Sequence, residues 1–162
     1  MLQALRRCGA EPGEPVLLVG HSLGGMTAAG LAADPRLRGE LTITHVVTAG
    51  SPIAGSGLPD DVQVLALERR QDPTPWLDGA RNPDQPGWVT VEAPSPAGLQ
   101  GSHDLSGYLD TAAAVDSSHD PGLVRWRAGL GDFLDRPGVV STSWEVTGER
   151  VPAPADRAGG PG

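Results

Sequence analysis

Three residues, Ser22, Asp72 and His103, have the types and the order along the chain that nucleophilic catalysis needs. A serine hydroxyl is a weak nucleophile at neutral pH. It needs a base within hydrogen-bond reach, and the base needs a carboxylate that orients it. Each of the three residues follows a separate apolar segment that is predicted to be a strand. Because the carboxyl ends of parallel strands meet at one edge of a sheet, we expect the three side chains to lie together there.

Ser22 lies between a predicted strand, residues 16–19, and a predicted helix of small residues that ends near residue 33. This arrangement predicts a nucleophile elbow, a strained turn that lifts the serine hydroxyl clear of the sheet. Gly20 and Gly24 are expected to prevent steric collisions across the turn. The N–H of Leu23, at the start of the helix, is the expected oxyanion donor. The simpler alternative is a glycine-rich turn whose serine has no catalytic role.

The base is chosen among four histidines. His103 is favoured because it follows the last predicted core strand and precedes a helix, where its ring can lean over the sheet edge. His119, between two predicted helices, is the second candidate and is more simply a loop or capping residue. His21 flanks the serine, so its side chain is expected to point away from the base position and pack beside the elbow. His45 lies inside a strand and is expected to be a core or face histidine.

The acid is expected to be Asp72, which follows the apolar strand at residues 62–67 by a few positions. Glu68, Asp78 and Asp60 are alternatives, each more simply explained as a solvated surface charge. The resulting order of serine, acid and histidine is that of the α/β-hydrolases.

Composition excludes several kinds of partner and site. The chain has 162 residues and a net charge of −8, which argues against nucleic acid and against an anionic membrane surface as partners. A single cysteine, Cys8, excludes an internal disulfide and a cysteine-based zinc site. Neither a transmembrane segment nor a signal peptide is evident, so the sequence favours a cytoplasmic location. The predicted chemistry needs no metal and no cofactor.

The remaining pattern predicts an α/β fold with a parallel sheet and flanking helices. Predicted strands lie at residues 16–19, 43–48, 62–67 and 88–92, with a last strand or extended segment at 139–146. Predicted helices lie at residues 2–8, after the elbow, at 105–115 with Asp104 as its N-cap, and from 121 through Leu134, ending before Pro137. We expect one domain over residues 1–150 and a disordered tail over residues 151–162, which are rich in Pro, Ala and Gly.

Several short segments resemble those of a known superfamily. Four segments are similar to motifs of class 3 lipases and of the lipase-like inositol deacylases. They are Gly20-His21-Ser22-Leu23-Gly24-Gly25, Thr48-Ala49-Gly50-Ser51-Pro52, Gln71-Asp72-Pro73-Thr74-Pro75, and His103 followed by Tyr108-Leu109. From about residue 1 to 135 the chain resembles the C-terminal half of an α/β-hydrolase. The resemblance implies a serine hydrolase acting on small-molecule or lipid carboxylic esters, with a thioesterase or a lipid-anchor deacylase as alternatives within that class.

The resemblance also implies a partial fold. The strands that precede the nucleophile strand in a complete α/β-hydrolase have no counterpart in residues 1–15, so residues 16–19 are expected to form an open, apolar sheet edge. The alternative function is therefore a catalytically inactive fragment or an α/β binding module that pairs with a partner, or with itself, through that edge. Trp76, Leu77 and Trp88 could line an acyl pocket, although local core packing is the simpler interpretation.

Overall fold

The computed structural model describes residues 2–9, 11–96, 98–134 and 141–147. Contacts divide the chain into a main unit, residues 11–139, and a second unit formed by residues 1–10 and 140–162. Within the second unit, α1 spans Leu2–Arg7 and residues 141–147 have no regular secondary structure. The predicted tail, residues 151–162, lies outside the described residues, and the domain boundary at residue 150 stays a prediction.

Four parallel strands form the sheet of the main unit, and they pair in the order in which they occur in the chain. They are β1 (Pro15–His21), β2 (Thr42–Ala49), β3 (Gln63–Arg69) and β4 (Trp88–Ala93). The helices are α2 (Leu23–Ala33), α3 (Pro35–Arg38), α4 (Leu105–Asp116), α5 (Pro121–Ala128) and α6 (Gly131–Leu134), with a short 3-10 helix at Thr74–Trp76. The fold is thus the predicted α/β arrangement, a parallel sheet with flanking helices that is consistent with a partial α/β-hydrolase domain.

Alternating side chains of β3 supply both faces of the sheet, because successive residues of a strand point in opposite directions. Val64 and Ala66 join the core that includes the small residues of α2. Leu65 and Leu67 join the opposite core, which contains residues of α4 and α5. A strand buried on both faces explains why residues 62–67 read as an almost continuous apolar run.

Two details of the predicted helices differ from the structure. The single helix expected from residue 121 to 134 is two helices, and α5 ends at Ala128 with Gly129 as its C-cap. Asp104 does precede α4, but its side chain makes no capping hydrogen bond; instead, its backbone carbonyl accepts from the N–H of Gly107. None of the described helices combines the length and the apolar composition needed to cross a membrane.

Candidate active site

Ser22 occupies the turn between the end of β1 and the start of α2. Its backbone φ and ψ are 55° and −123°, and among the described residues it is the one non-glycine with positive φ. Such a conformation is strained and persists where the surroundings hold it in place. The Ser22 N–H donates to the carbonyl oxygen of Ala49, at the end of β2, over 2.9 Å. The turn is therefore tied to the neighbouring strand.

Close backbone packing across the elbow involves Gly20 and Gly25. A Cβ atom on Gly20 would lie 2.3 Å from the backbone of Gly24, and one on Gly25 would lie 2.1 Å from the Ser51 hydroxyl oxygen. A Cβ atom on Gly24 would meet nothing within 4 Å. The expectation that Gly24 avoids a collision is therefore wrong, because it is the backbone of Gly24, and not its missing side chain, that lies against Gly20.

The three residues expected to act together form one chain of hydrogen bonds. Nε2 of His103 lies 2.9 Å from the Ser22 hydroxyl oxygen, and Nδ1 of His103 lies 2.7 Å from Oδ2 of Asp72. The Asp72 side chain is fully buried, whereas that of His103 is 36% exposed. An imidazole that contacts a hydroxyl at one nitrogen and a buried carboxylate at the other has the geometry of a general base that a carboxylate orients.

Asp72 has further donors around its carboxylate. The Tyr108 hydroxyl donates to Oδ2 over 2.6 Å, and the Thr74 N–H donates to Oδ1 over 2.9 Å. Burial opposes ionisation of Asp72, but the hydrogen bonds from Tyr108, His103 and Thr74 outweigh it and hold the pKa of this carboxyl below its usual value. Asp72 is therefore an anion at neutral pH, although it is buried.

His21 takes a different position from the one expected. Its ring does pack beside the elbow, but it does so against the ring of His103, with centroids 4.7 Å apart and planes 32° apart. Its Nε2 lies 3.0 Å from the backbone carbonyl oxygen of His103. The expectation for this residue is a side chain that points away from the base position. That is wrong, because the loop carrying His103 folds back over the end of β1.

The other candidates lie in different surroundings. The ring of His45 packs edge-on against Trp126 and Phe133, and His119 is exposed. Glu68 is buried rather than solvated, and burial raises the pKa of its carboxyl above its usual value.

Asp78 accepts hydrogen bonds from the backbone N–H groups of Gly55 and Ala80, and Asp60 is exposed. Trp88 is buried in the core, while Trp76 and Leu77 are partly or largely exposed.

The N–H expected to face an oxyanion belongs to the first residue of α2. Leu23 follows Ser22 directly, and the N–H of a first helical residue has no acceptor within its own helix. Leu23 is 72% exposed. Within the described ranges, the His, Cys, Asp and Glu side chains form no group of three placed to hold a metal ion.

Two residues of the site were missed by sequence reasoning. Tyr108 belongs to the segment that resembles a histidine loop, but its position in the sequence does not predict its hydrogen bond to Asp72. Arg69, the last residue of β3, is buried and donates through Nη1 to the carbonyl oxygens of Gly101 and Ser102, directly before His103. The available signal was an arginine at the end of an otherwise apolar strand, next to the predicted acid turn.

Comparison with known proteins identifies the family. The protein-family model described as "PGAP1-like alpha/beta domain" matches residues 3–116, a segment that contains Ser22, Asp72 and His103. No curated protein and no solved structure matches the chain. This family is lipase/esterase-like and hydrolase-related, in agreement with the parallel sheet and the elbow-like turn. The chain belongs to the PGAP1-like alpha/beta domain family of the α/β-hydrolases.

Proposed function

We propose that the protein is a serine hydrolase acting on carboxylic esters, with Ser22 as nucleophile, His103 as general base and acid, and Asp72 as the orienting carboxylate. The observation that carries the proposal is the pair of hydrogen bonds made by His103, 2.9 Å to the Ser22 hydroxyl and 2.7 Å to Asp72. Distances of this kind allow a proton to move from the serine to the imidazole without rearrangement of the site.

The acylation half of the reaction forms one bond and breaks another. The Ser22 oxygen attacks the ester carbonyl carbon, and its proton passes to Nε2 of His103. The carbonyl oxygen becomes an oxyanion that accepts a hydrogen bond from the Leu23 N–H, at the positive end of the α2 dipole. When the oxyanion collapses, the alkoxide leaves and takes the proton from His103, so that an acyl group remains on Ser22.

The deacylation half repeats these steps with water. His103 removes a proton from the water molecule that attacks the acyl carbonyl, and it then returns the proton to the Ser22 oxygen as the carboxylic acid departs. Throughout, Asp72 stays ionised and holds the imidazolium in place. Its depressed pKa supports that role.

Exposed apolar side chains at the start of α2 and after Asp72 support an ester with an apolar acyl group. Leu23 and Met26 at the start of α2, and Trp76 and Leu77 after the acid, are all substantially exposed. A cavity of about 250 Å³ beside α2 is lined by Met26, Pro52 and Ile53 together with Gly30, Gly55, Ser56 and Asp78. Apolar surface of this kind favours acyl chains over charged substrates.

Labelling with a fluorophosphonate tests the proposal directly. The full chain is expected to bind about one probe per molecule, and Ser22→Ala should abolish the labelling, whereas the exposed Ser117→Ala should leave it unchanged. Hydrolysis of short nitrophenyl esters should be lost in the same Ser22→Ala variant. A folded chain that neither takes up the probe nor hydrolyses these esters would overturn the proposal.

The alternative function is an α/β module that binds through its open sheet edge. Within the described residues β1 pairs with β2 alone, and Val19 of β1 is 69% exposed, so one edge of the sheet presents an apolar strand. This alternative predicts concentration-dependent association that Val19→Lys weakens, in a chain whose Ser22 does not react with the probe.

A further inference from the structure

The carboxylate oxygen that faces His103 is shared with a second donor. Oδ2 of Asp72 accepts from Nδ1 of His103 over 2.7 Å and from the hydroxyl of Tyr108 over 2.6 Å. Tyr108 is 1% exposed, and burial together with the adjacent Asp72 raises the pKa of its phenol, so the phenol stays protonated and donates. The two donors therefore divide the negative charge of a single oxygen.

Arg69 holds both Tyr108 and the histidine loop. Its guanidinium carbon lies 5.9 Å from the centroid of the Tyr108 ring, and Nη1 lies 3.1 Å and 3.4 Å from the carbonyl oxygens of Gly101 and Ser102. Among the described residues, no carboxylate lies within ion-pair distance of this buried cation. A buried cation without an ion-pair partner is costly, so its placement calls for an explanation beyond packing.

Two glycines leave space for the same network. A Cβ atom on Gly107 would lie 1.8 Å from Nη1 of Arg69. Gly50 has φ of 59°, and a Cβ atom there would lie 2.8 Å from the Tyr108 hydroxyl oxygen and 3.0 Å from Oδ2 of Asp72. The backbone at Gly50 therefore lies against the Tyr108–Asp72 hydrogen bond, and the backbone at Gly107 lies against the Arg69 guanidinium.

We propose that Tyr108, anchored by Arg69, is a positioning residue for the Asp72–His103 pair, which fixes the carboxylate oxygen facing His103 and shares its charge. This inference rests on the proposed role of Ser22 only for its kinetic test. The groups around the pair are the ring of His21 from β1, Arg69 from β3, the Thr74 N–H from the acid turn and the phenol from α4.

Removal of the phenol hydroxyl by Tyr108→Phe tests the inference. Without the phenol donor, the negative charge of Asp72 stabilises protonated His103 more strongly, so the Asp72–His103 pair binds a proton more tightly. We expect the acid-side limb of kcat/KM against pH to move to higher pH by roughly half a unit or more. Thr111→Val is the matched control, because it removes a buried hydroxyl from the same helix that donates to the Gly107 carbonyl and not to Asp72.

A readout that does not need turnover separates this inference from the proposed function. The low-field proton resonance of the His103 Nδ1–H, assigned by its loss in His103→Gln, should shift in Tyr108→Phe and stay in place in Thr111→Val. If the resonance shifts in a chain whose Ser22 does not react with the probe, the positioning role is supported and the proposed hydrolase function is overturned. A folded Tyr108→Phe variant whose resonance and pH profile match those of the wild type would overturn the inference.

The contribution of Arg69 is measured by a double-mutant cycle. Arg69→Met should move the resonance in the same direction as Tyr108→Phe, because it frees the phenol ring. In the double variant we expect a displacement smaller than the sum of the two single displacements, since the part of the Arg69 effect that passes through Tyr108 is lost while the part that passes through the Gly101 and Ser102 carbonyls remains. Displacements that simply add would show that Arg69 acts independently, and they would overturn the anchoring part of the inference.

Discussion

The imidazole of His21 stacks on that of His103, with ring centroids 4.7 Å apart, and its Nε2 lies 3.0 Å from the backbone carbonyl oxygen of His103. The residue directly before the elbow serine thus holds the loop that carries the proposed base. Because His21 and Ser22 are consecutive, the turn that carries the proposed nucleophile also positions the loop of the proposed base. Replacing His21 should therefore affect catalysis without removing any group that takes part in proton transfer.

His21→Phe keeps a ring beside His103 and loses the hydrogen bond, whereas His21→Ala loses both. We expect kcat to fall about 3- to 10-fold in His21→Phe, as the loss of one hydrogen bond of about 1 kcal/mol would produce, and further in His21→Ala. Steady-state hydrolysis of a nitrophenyl ester measures the effect, with His119→Ala at an exposed histidine as control. Unchanged rates in both His21 variants would contradict the positioning role.

The depressed pKa of Asp72 has a consequence for stability in acid. A carboxyl whose pKa is lower in the folded protein stabilises it fully above the unfolded value, here 3.8, and loses that contribution as pH falls below it. We therefore expect the free energy of unfolding to decrease below about pH 4 in part because of Asp72. Urea denaturation at several pH values should show a smaller acid-induced loss in Asp72→Asn than in the wild type.

The control for Asp72 is Asp116→Asn, at an exposed carboxylate near the end of α4. It should keep the acid dependence of the wild type. If Asp72→Asn and Asp116→Asn lose the same free energy between pH 7 and the acid range, Asp72 does not supply the predicted contribution.

The raised pKa of Glu68 predicts an effect on stability that is opposite in sign to that of Asp72. Burial raises the pKa of this carboxyl above 4.5, so its ionisation at neutral pH costs stability, and that cost develops as pH rises through the folded pKa. Glu68→Gln should raise the free energy of unfolding at pH 7 by about 1 kcal/mol, since a neutral amide is easier to bury. Glu92→Gln, at an exposed residue that pairs with Arg70, should change it by less. A destabilised Glu68→Gln chain would refute the prediction.

Gly20 and Gly24 of the elbow motif should respond differently to the same substitution. Gly20→Ala places a Cβ atom 2.3 Å from the backbone of Gly24, so we expect a loss of folded protein or of several kcal/mol of stability. Gly24→Ala meets open space inside α2, where alanine is the better helix former, and should be neutral or stabilising by up to about 1 kcal/mol. Thermal unfolding of both variants distinguishes them. Equal destabilisation would mean that the steric difference is absent.

Local sequence predicted the four strands of the sheet and their order along the chain. The apolar runs before Ser22, Asp72 and His103 predicted three parallel strands, and the structure brings these three residues together at the carboxyl ends of β1, β3 and β4. The single helix expected over residues 121–134 was wrong, because a regular apolar spacing does not reveal a break at Gly129. Periodicity identifies elements well and their ends poorly, since the ends depend on caps and tertiary contacts.

Residue patterns were therefore enough to predict the α/β class, the turn at Ser22 and a set of residue types suited to acyl transfer. Packing of the folded chain was needed to establish which groups share the carboxylate of Asp72, why Gly25 rather than Gly24 needs to be small, and that His21 lies against His103. These contacts join residues that are distant along the chain, such as His21 with His103 and Arg69 with Gly107. Nearest-neighbour patterns carry no information about such pairs, because the pairs form only when the loops at the sheet edge pack together.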